Sequence, residues 1–175
     1  MEIRALSSAD AESFKAIRRD GLENSPRSFS ESLAEHDALS PKEFAKRFAS
    51  STSASSTSND NVIIGAFVDS ELVGVAGFGR NPRAKLSHKG MIWGVYVRPA
   101  FRGAGIARAI LSEIIRRAKS IEGLDQINLT VAEGTPAKQL YLSLGFEVFG
   151  HERNSLKVDG EYLDEDLMAL RLKPR

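Results

Sequence analysis

The stretch Val95-Tyr96-Val97-Arg98-Pro99-Ala100-Phe101-Arg102-Gly103-Ala104-Gly105-Ile106-Ala107 carries the clearest chemistry in this chain. An apolar strand feeds a loop with two glycines, and a long helix begins where the loop ends. A helix start presents unpaired N–H groups and the positive end of the helix dipole, which suits a diphosphate. Gly103 and Gly105 remove Cβ atoms where a ligand would press on backbone, and Arg102 adds a cation at the same end. Two nucleotide patterns fail on spacing. A Walker loop ends in Gly-Lys-Ser/Thr, whereas Gly105 is followed by Ile106-Ala107. A dinucleotide fingerprint needs G-x-G-x-x-G/A and an acid closing the next strand, but the sixth position is Arg108 and the nearby acids Glu122 and Asp125 precede that strand. The pattern R/Q-x-x-G-x-G/A does fit, through Arg102, Gly105 and Ala107. Taken alone, it also describes an ordinary glycine-rich helix start.

Composition removes several other chemistries. The 175 residues contain no cysteine, which excludes a disulfide framework, a thiolate metal site and a cysteine nucleophile. With 24 Lys+Arg against 23 Asp+Glu, the net charge of +1 offers no electrostatic case for nucleic acid or a membrane surface. No apolar run approaches the roughly 20 residues of a bilayer span, and Met1–Leu6 has no signal-peptide h-region. A cytoplasmic location is the expectation. At 42% apolar residues, one domain spanning 1–175 can bury a core.

The elements that would position the loop follow from pattern. Glu2–Leu6 reads as a strand, and Ser7 with Asp10 as a capping box for a helix bearing Phe14, Ile17 and Leu22. Pro26 ends that helix. Residues 29–39 and 41–49 suggest short helices, and the Ser/Thr-rich tract at 50–60 a mobile, non-catalytic surface loop. Asn61–Val68 and Glu71–Gly79 form a predicted hairpin whose glycines, Gly65, Gly74, Gly77 and Gly79, suggest bulges or close backbone approach. Met91–Val97 is a third strand. Gly103–Ile121 is a helix with Ile106, Ala107, Ile110, Leu111, Ile114, Ile115 and Ala118 on one face, and Arg108 on the other. Asp125–Val131 is a strand, Thr135-Pro136 caps and opens a short helix ended by Gly145, and Phe146–Phe149 and Leu167–Leu172 close the chain as strands. Asp159-Gly160 is a turn between extended segments.

A second motif, Ala137-Lys138-Gln139-Leu140-Tyr141-Leu142-Ser143-Leu144-Gly145-Phe146, lies one strand downstream of the loop. With both motifs in this order, the chain resembles the GNAT superfamily of acetyl-CoA-dependent N-acetyltransferases. The resemblance covers residues 60–172 through the strand pair, Val-Tyr-Val-Arg-Pro, Arg-Gly-Ala-Gly-Ile-Ala, A-x-x-L-Y-x-x-x-G-F and the closing Asp164-Glu165 strand. Residues 1–60 match only through Ile3-Arg4 and the helix with Arg18-Arg19. It implies an α/β fold with a mixed, mostly antiparallel sheet of about six to seven strands flanked by about four helices.

The resemblance also implies roles. The backbone of Val95, Tyr96 and Val97 would hold the pantetheine arm of acetyl-CoA, a co-substrate, and the amides of Arg102, Gly103, Ala104, Gly105, Ile106 and Ala107 its pyrophosphate. Tyr141 would serve as general acid at the leaving sulfur. An interior aromatic beside Ala137, Leu140 and Leu144 is the competing reading. The chain departs from the family at Gly134, where many members have Asn, and at Met91-Ile92-Trp93-Gly94, which lacks a titratable group. Glu133 and His88 are the candidate bases, with a water relay as alternative. Asp159, Glu161, Asp164, Glu165 and Asp166 could draw in a cation or simply solvate a hairpin, and Trp93 could line the acceptor cleft or fill core. Ser25–Phe29 is where the family shapes its acceptor pocket. The expected partner is a small-molecule or peptide amine, with a homodimer left open and neither metal, nucleic acid nor membrane expected. An acyl-CoA-binding module with little or no turnover is the alternative function.

Overall fold

The computed structural model describes residues 1–40, 42–46 and 60–172. Seven strands form one sheet: β1 (Glu2–Ala5), β2 (Asn61–Val68), β3 (Glu71–Arg80), β4 (Lys89–Val97), β5 (Gln126–Ala132), β6 (Glu147–Val158) and β7 (Glu161–Arg171), ordered β1-β2-β3-β4-β5-β7-β6. Every neighbouring pair is antiparallel except β4 and β5. This is the expected mixed, mostly antiparallel sheet. The Ser/Thr-rich tract falls outside the described residues, Asp60 aside.

Helices cover both faces. α1 (Ala11–Asn24) buries Phe14, Ile17 and Leu22, the first two against one side of β2–β4, where α2 (Leu33–Asp37) and residues 42–46, helical as expected, add His36 and Phe44. α3 (Ile106–Ala118) buries Ile106, Ile110, Leu111, Ile114 and Ala118 in the larger core on the other side, with Phe78, Ile127 and Met168. α4 (Pro136–Ser143) adds Tyr141 to that core. The expected capping box is present: Asp10 accepts from the Ser7 amide at 2.7 Å, and it also pairs with Arg4. Thr135 sits at the N-cap of α4 as expected, but its hydroxyl donates back to the Ala132 carbonyl at 2.9 Å instead of capping the helix.

Three corrections concern extents. α3 starts at Ile106, because Gly103 and Gly105 take left-handed φ of +81° and +77° and hold the chain out of the helix. Residues 29–39 keep only the short helix α2. The closing hairpin is far longer than the apolar runs suggested, with β6 and β7 paired out to the Asp159-Gly160 turn, where both residues have positive φ. Its outer half is exposed and polar, so ladder hydrogen bonds rather than alternating burial define it.

Close approach at the hairpin glycines is borne out at all four positions, each against a side chain, with Asn61 Oδ1 at 2.9 Å from a Cβ on Gly79. A Cβ on Gly65 would meet Leu6 at 2.5 Å, one on Gly77 would meet the Trp93 indole at 2.2 Å, and one on Gly74 would meet Ile106 and Ile110 at 3.0 Å.

Candidate active site

Two features open the sheet. β4 and β5 pair only through Lys89–Met91 and Gln126–Asn128, so the β4 edge beyond Met91 has no neighbouring strand. In the β3–β4 register Val75 faces Tyr96 while Gly77 faces Trp93, which places one extra residue in β4, at Gly94-Val95. Gly94 has φ +63°, a conformation that favours glycine. Such a bulge bends a strand and re-aims its side chains.

Two clefts meet across this opening. The first, about 500 Å³, is lined by Val95–Val97, residues 102–108 apart from Ala104, and Thr135, Pro136, Ala137, Leu140 and Tyr141, with Ser25, Ser28 and Phe29 on its other wall. The second, about 520 Å³, lies between Arg18, Phe29, Glu31 and Trp93 on one side and Leu129–Ala132, Ser155 and Glu165 on the other. Val95, Phe29, Thr135, Ala137 and Tyr141 line both.

The predicted phosphate loop has the required geometry. The amides of Gly103 to Ala107 have no backbone acceptor among the described residues, and a Cβ on Gly103 or Gly105 would point into open space. Unpaired N–H groups at the positive end of α3 form an anion site. Arg102 braces the loop, donating through Nε to the Val97 carbonyl at 3.0 Å and through Nη2 to Ser25 Oγ at 3.4 Å. Arg108, assigned by helix periodicity to the outer face, lines the first cleft and donates to Ser143 Oγ at 2.7 Å. Tyr96 is buried and its hydroxyl donates to Asp20 at 3.1 Å, which ties β4 to α1.

Tyr141 is 5% exposed and meets Phe146 edge-on at 5.9 Å. Its hydroxyl makes no hydrogen bond to any described residue, although the ring borders both clefts. Burial pushes its pKa up to about 12, so it remains a neutral donor through the physiological range.

The candidate bases are not brought to this junction. His88 precedes β4 at the end opposite the clefts, where its carbonyl accepts from Asp125 and Gln126. Glu133 is exposed and lines neither cleft. It shares a sheet face with Asp164 and His151, their ligand atoms all within 4.8 Å of one another. Side chains alternate along a strand, and Glu165 therefore faces the other way, into the second cleft. The hairpin acids thus divide. Asp166 is buried and pairs with Lys138 of α4 at 2.7 Å and His151 at 3.1 Å, whereas Glu165 is half-buried in the cleft. Neither could be singled out by composition, because the five acids read as one solvated run. Trp93 lines the second cleft and also covers Gly77.

A splayed parallel strand pair, a bulged β4 and an amide-lined loop build the site, and comparison with known proteins gives its class. The sequence profile of the Acetyltransferase (GNAT) family matches residues 23–146, and the chain belongs to this family. It is 30% identical over 105 residues to the L-amino acid N-acetyltransferase AaaT of Escherichia coli, a match spanning 59% of this chain and 64% of that protein. Its fold is similar to that of yncA from Salmonella typhimurium, solved with its cofactor acetyl-CoA (TM-score 0.84, 20% identity, covering 100% of this chain and 95% of that one). It is also similar to a ribosomal-protein-alanine N-acetyltransferase from Brucella melitensis (TM-score 0.76, 26% identity, covering 98% and 99%).

Proposed function

We propose that this chain is an N-acetyltransferase that moves the acetyl group of acetyl-CoA to an amine by direct attack in a ternary complex. The observation that carries this reading is the junction of two clefts at Val95 and Tyr141. A thioester laid along β4 from the first cleft would present its carbonyl to an amine entering from the second. The free β4 edge suits the extended, amide-bearing pantetheine arm, which can pair with it as an added strand would. The amides of Gly103–Ala107 suit the pyrophosphate. Acetyl-CoA bound to yncA supports the choice of co-substrate.

In the reaction the amine lone pair forms a C–N bond to the thioester carbonyl carbon. Collapse of the tetrahedral intermediate breaks the C–S bond and leaves charge on sulfur. Tyr141, with a proton held by its raised pKa and no competing partner, donates to that sulfur. A thiol has an ordinary pKa of about 8.5, so the phenol's contribution is strongest while charge is developing on sulfur. The nitrogen's surplus proton then restores the phenol. With no cysteine, direct attack requires no acyl-enzyme.

The test combines an amine panel, read as free thiol, with Tyr141→Phe. The variant keeps the ring against Phe146, so its melting temperature should barely move while turnover falls about 10–1000-fold, the usual range for general acid catalysis. Acetyl-CoA affinity should be nearly unchanged. Stoichiometric acetyl-CoA binding with no thiol release over the whole panel would favour a binding module instead.

A further inference from the structure

Resting on that reading, we infer that Glu165 receives the acceptor as an ammonium ion and takes its proton. The second cleft contains one cation and two carboxylates. Arg18 is paired with Glu31 at 2.9 Å, with its guanidinium 5.0 Å from the centre of the Phe29 ring, so those two charges offset each other. Glu165 has no such partner. Its carboxylate accepts one hydrogen bond, from the neutral Ser155 hydroxyl at 2.6 Å, and no arginine or lysine among the described residues pairs with it. The cleft therefore has one uncompensated negative charge, half-buried on the wall that ends at Ala132, its register partner on β5. Burying a carboxylate without a cation is costly, and an entering ammonium removes that cost. Glu165 is also the one titratable carboxylate of this cleft, among the described residues, that is free to accept a proton without breaking an ion pair.

The chemistry calls for a proton acceptor at this place. An alkyl amine with pKa near 10.4 must lose a proton before its lone pair can attack, at a cost of roughly 4–5 kcal/mol at neutral pH. The step balances simply: one N–H proton passes to the Glu165 carboxylate, the freed lone pair forms the C–N bond, and the carboxyl later releases the proton to water. The charged or titratable groups facing Glu165 are Glu152, opposite it on β6, Arg18 and Glu31 across the cleft, and Tyr141. Arg18 and Glu31 offset each other, Tyr141 stays neutral, and Glu152 adds negative charge that also favours a cation. The acceptor class is accordingly a small primary amine that enters protonated. A carboxylate on the acceptor would find only a neutralised Arg18, so amides and plain alkylamines should be preferred to free amino acids.

Binding tests the charge assignment without turnover. Calorimetry at pH 7 on the complex with CoA should show n-butylammonium binding at least tenfold more tightly than n-butanol, and Glu165→Gln should abolish that preference. Turnover tests the proton transfer, with butylamine, glycinamide and glycine as acceptors. Wild-type kcat/KM for butylamine should be nearly level between pH 6.5 and 9, because its ammonium persists through that range and is the productive form. Glu165→Gln should lose at least 100-fold at pH 7 and rise about tenfold per pH unit, while its acetyl-CoA affinity is unchanged. Glu165→Asp should restore the level profile at a reduced rate. Equal binding of n-butylammonium and n-butanol by the wild type would overturn the inference whether or not any variant folds. An unchanged Glu165→Gln profile would overturn it while leaving acetyl transfer intact. Failure of the wild type to bind acetyl-CoA would instead remove the underlying reading.

Discussion

Tyr141 and Gly105 illustrate how a single position acquires a role from its surroundings. Tyr141 is buried among the core aromatics, and apolar neighbours on α4 contribute to that burial. What separates it from a packing residue is a hydroxyl without a protein partner at the wall shared by two clefts. Because its pKa lies at about 12, its ionisation should leave no alkaline limb in the turnover profile below pH 10. Stopped-flow thiol release across pH 7–10 checks this, and a fall with a midpoint near 9 would show that another group donates. Gly105 is needed for its left-handed φ and for the space in front of it. Gly105→Glu adds backbone strain of about 1–2 kcal/mol and places a carboxylate before the anion site. Acetyl-CoA affinity measured by calorimetry should fall at least tenfold, or about 1.4 kcal/mol.

At the scale of elements, β4 is the strand on which the site depends. Its bulge at Gly94-Val95 turns Val95 toward both clefts, and its Trp93 ring covers Gly77 of β3. Gly77→Ala would drive a methyl into that indole and push it toward the second cleft. Overpacking of this kind costs about 1–3 kcal/mol. The expected signature is an altered KM for the amine with an unchanged Kd for acetyl-CoA, since the first cleft does not include Trp93. A change confined to acetyl-CoA affinity would show that the clefts were wrongly divided. α2 carries a different sensitivity. His36 is 1% exposed with its ring edge-on to Phe44 at 5.5 Å, and burial lowers its pKa below the ordinary 6.5. The fold therefore prefers neutral His36. Its contribution is intact above pH 6.5 and declines as the unfolded chain gains a proton below it.

Over the whole molecule, His36 and His151 oppose each other in their response to pH. Asp166 first, and then Asp164, hold His151 protonated above its usual range. The stabilisation is fully present below pH 6.5 and is lost as pH rises through the elevated folded-state value. That network joins the closing hairpin to Lys138 of α4, the helix that presents Tyr141. Melting temperature followed from pH 6 to 8.5 should decline less in His151→Gln than in the wild type. An identical decline in both would remove the histidine from the linkage.

Much of the fold was legible because local rules and burial agreed. β2, spanning Asn61–Val68, is apolar from Val62 onward, and the seven-residue apolar face of α3 admits one orientation against a sheet. The phosphate loop was legible for the same reason, since glycine, arginine and a helix start act over a few consecutive residues. The outer half of the β6–β7 hairpin was not, because Gly150–Val158 lacks apolar alternation and is held by cross-strand bonds to β7 and not by burial. The base was not legible either. Glu133, Asp164, Glu165 and Asp166 are chemically similar and close in sequence or register. The pleat sends Glu165 to the cleft, Asp166 to Lys138 and His151, and Glu133 to the outer face. Residue type and spacing by themselves determined the family of elements and the anion-binding loop. Only the tertiary structure decided which carboxylate faces the cleft, because a side chain's face depends on strand register, and register is set by long-range pairing.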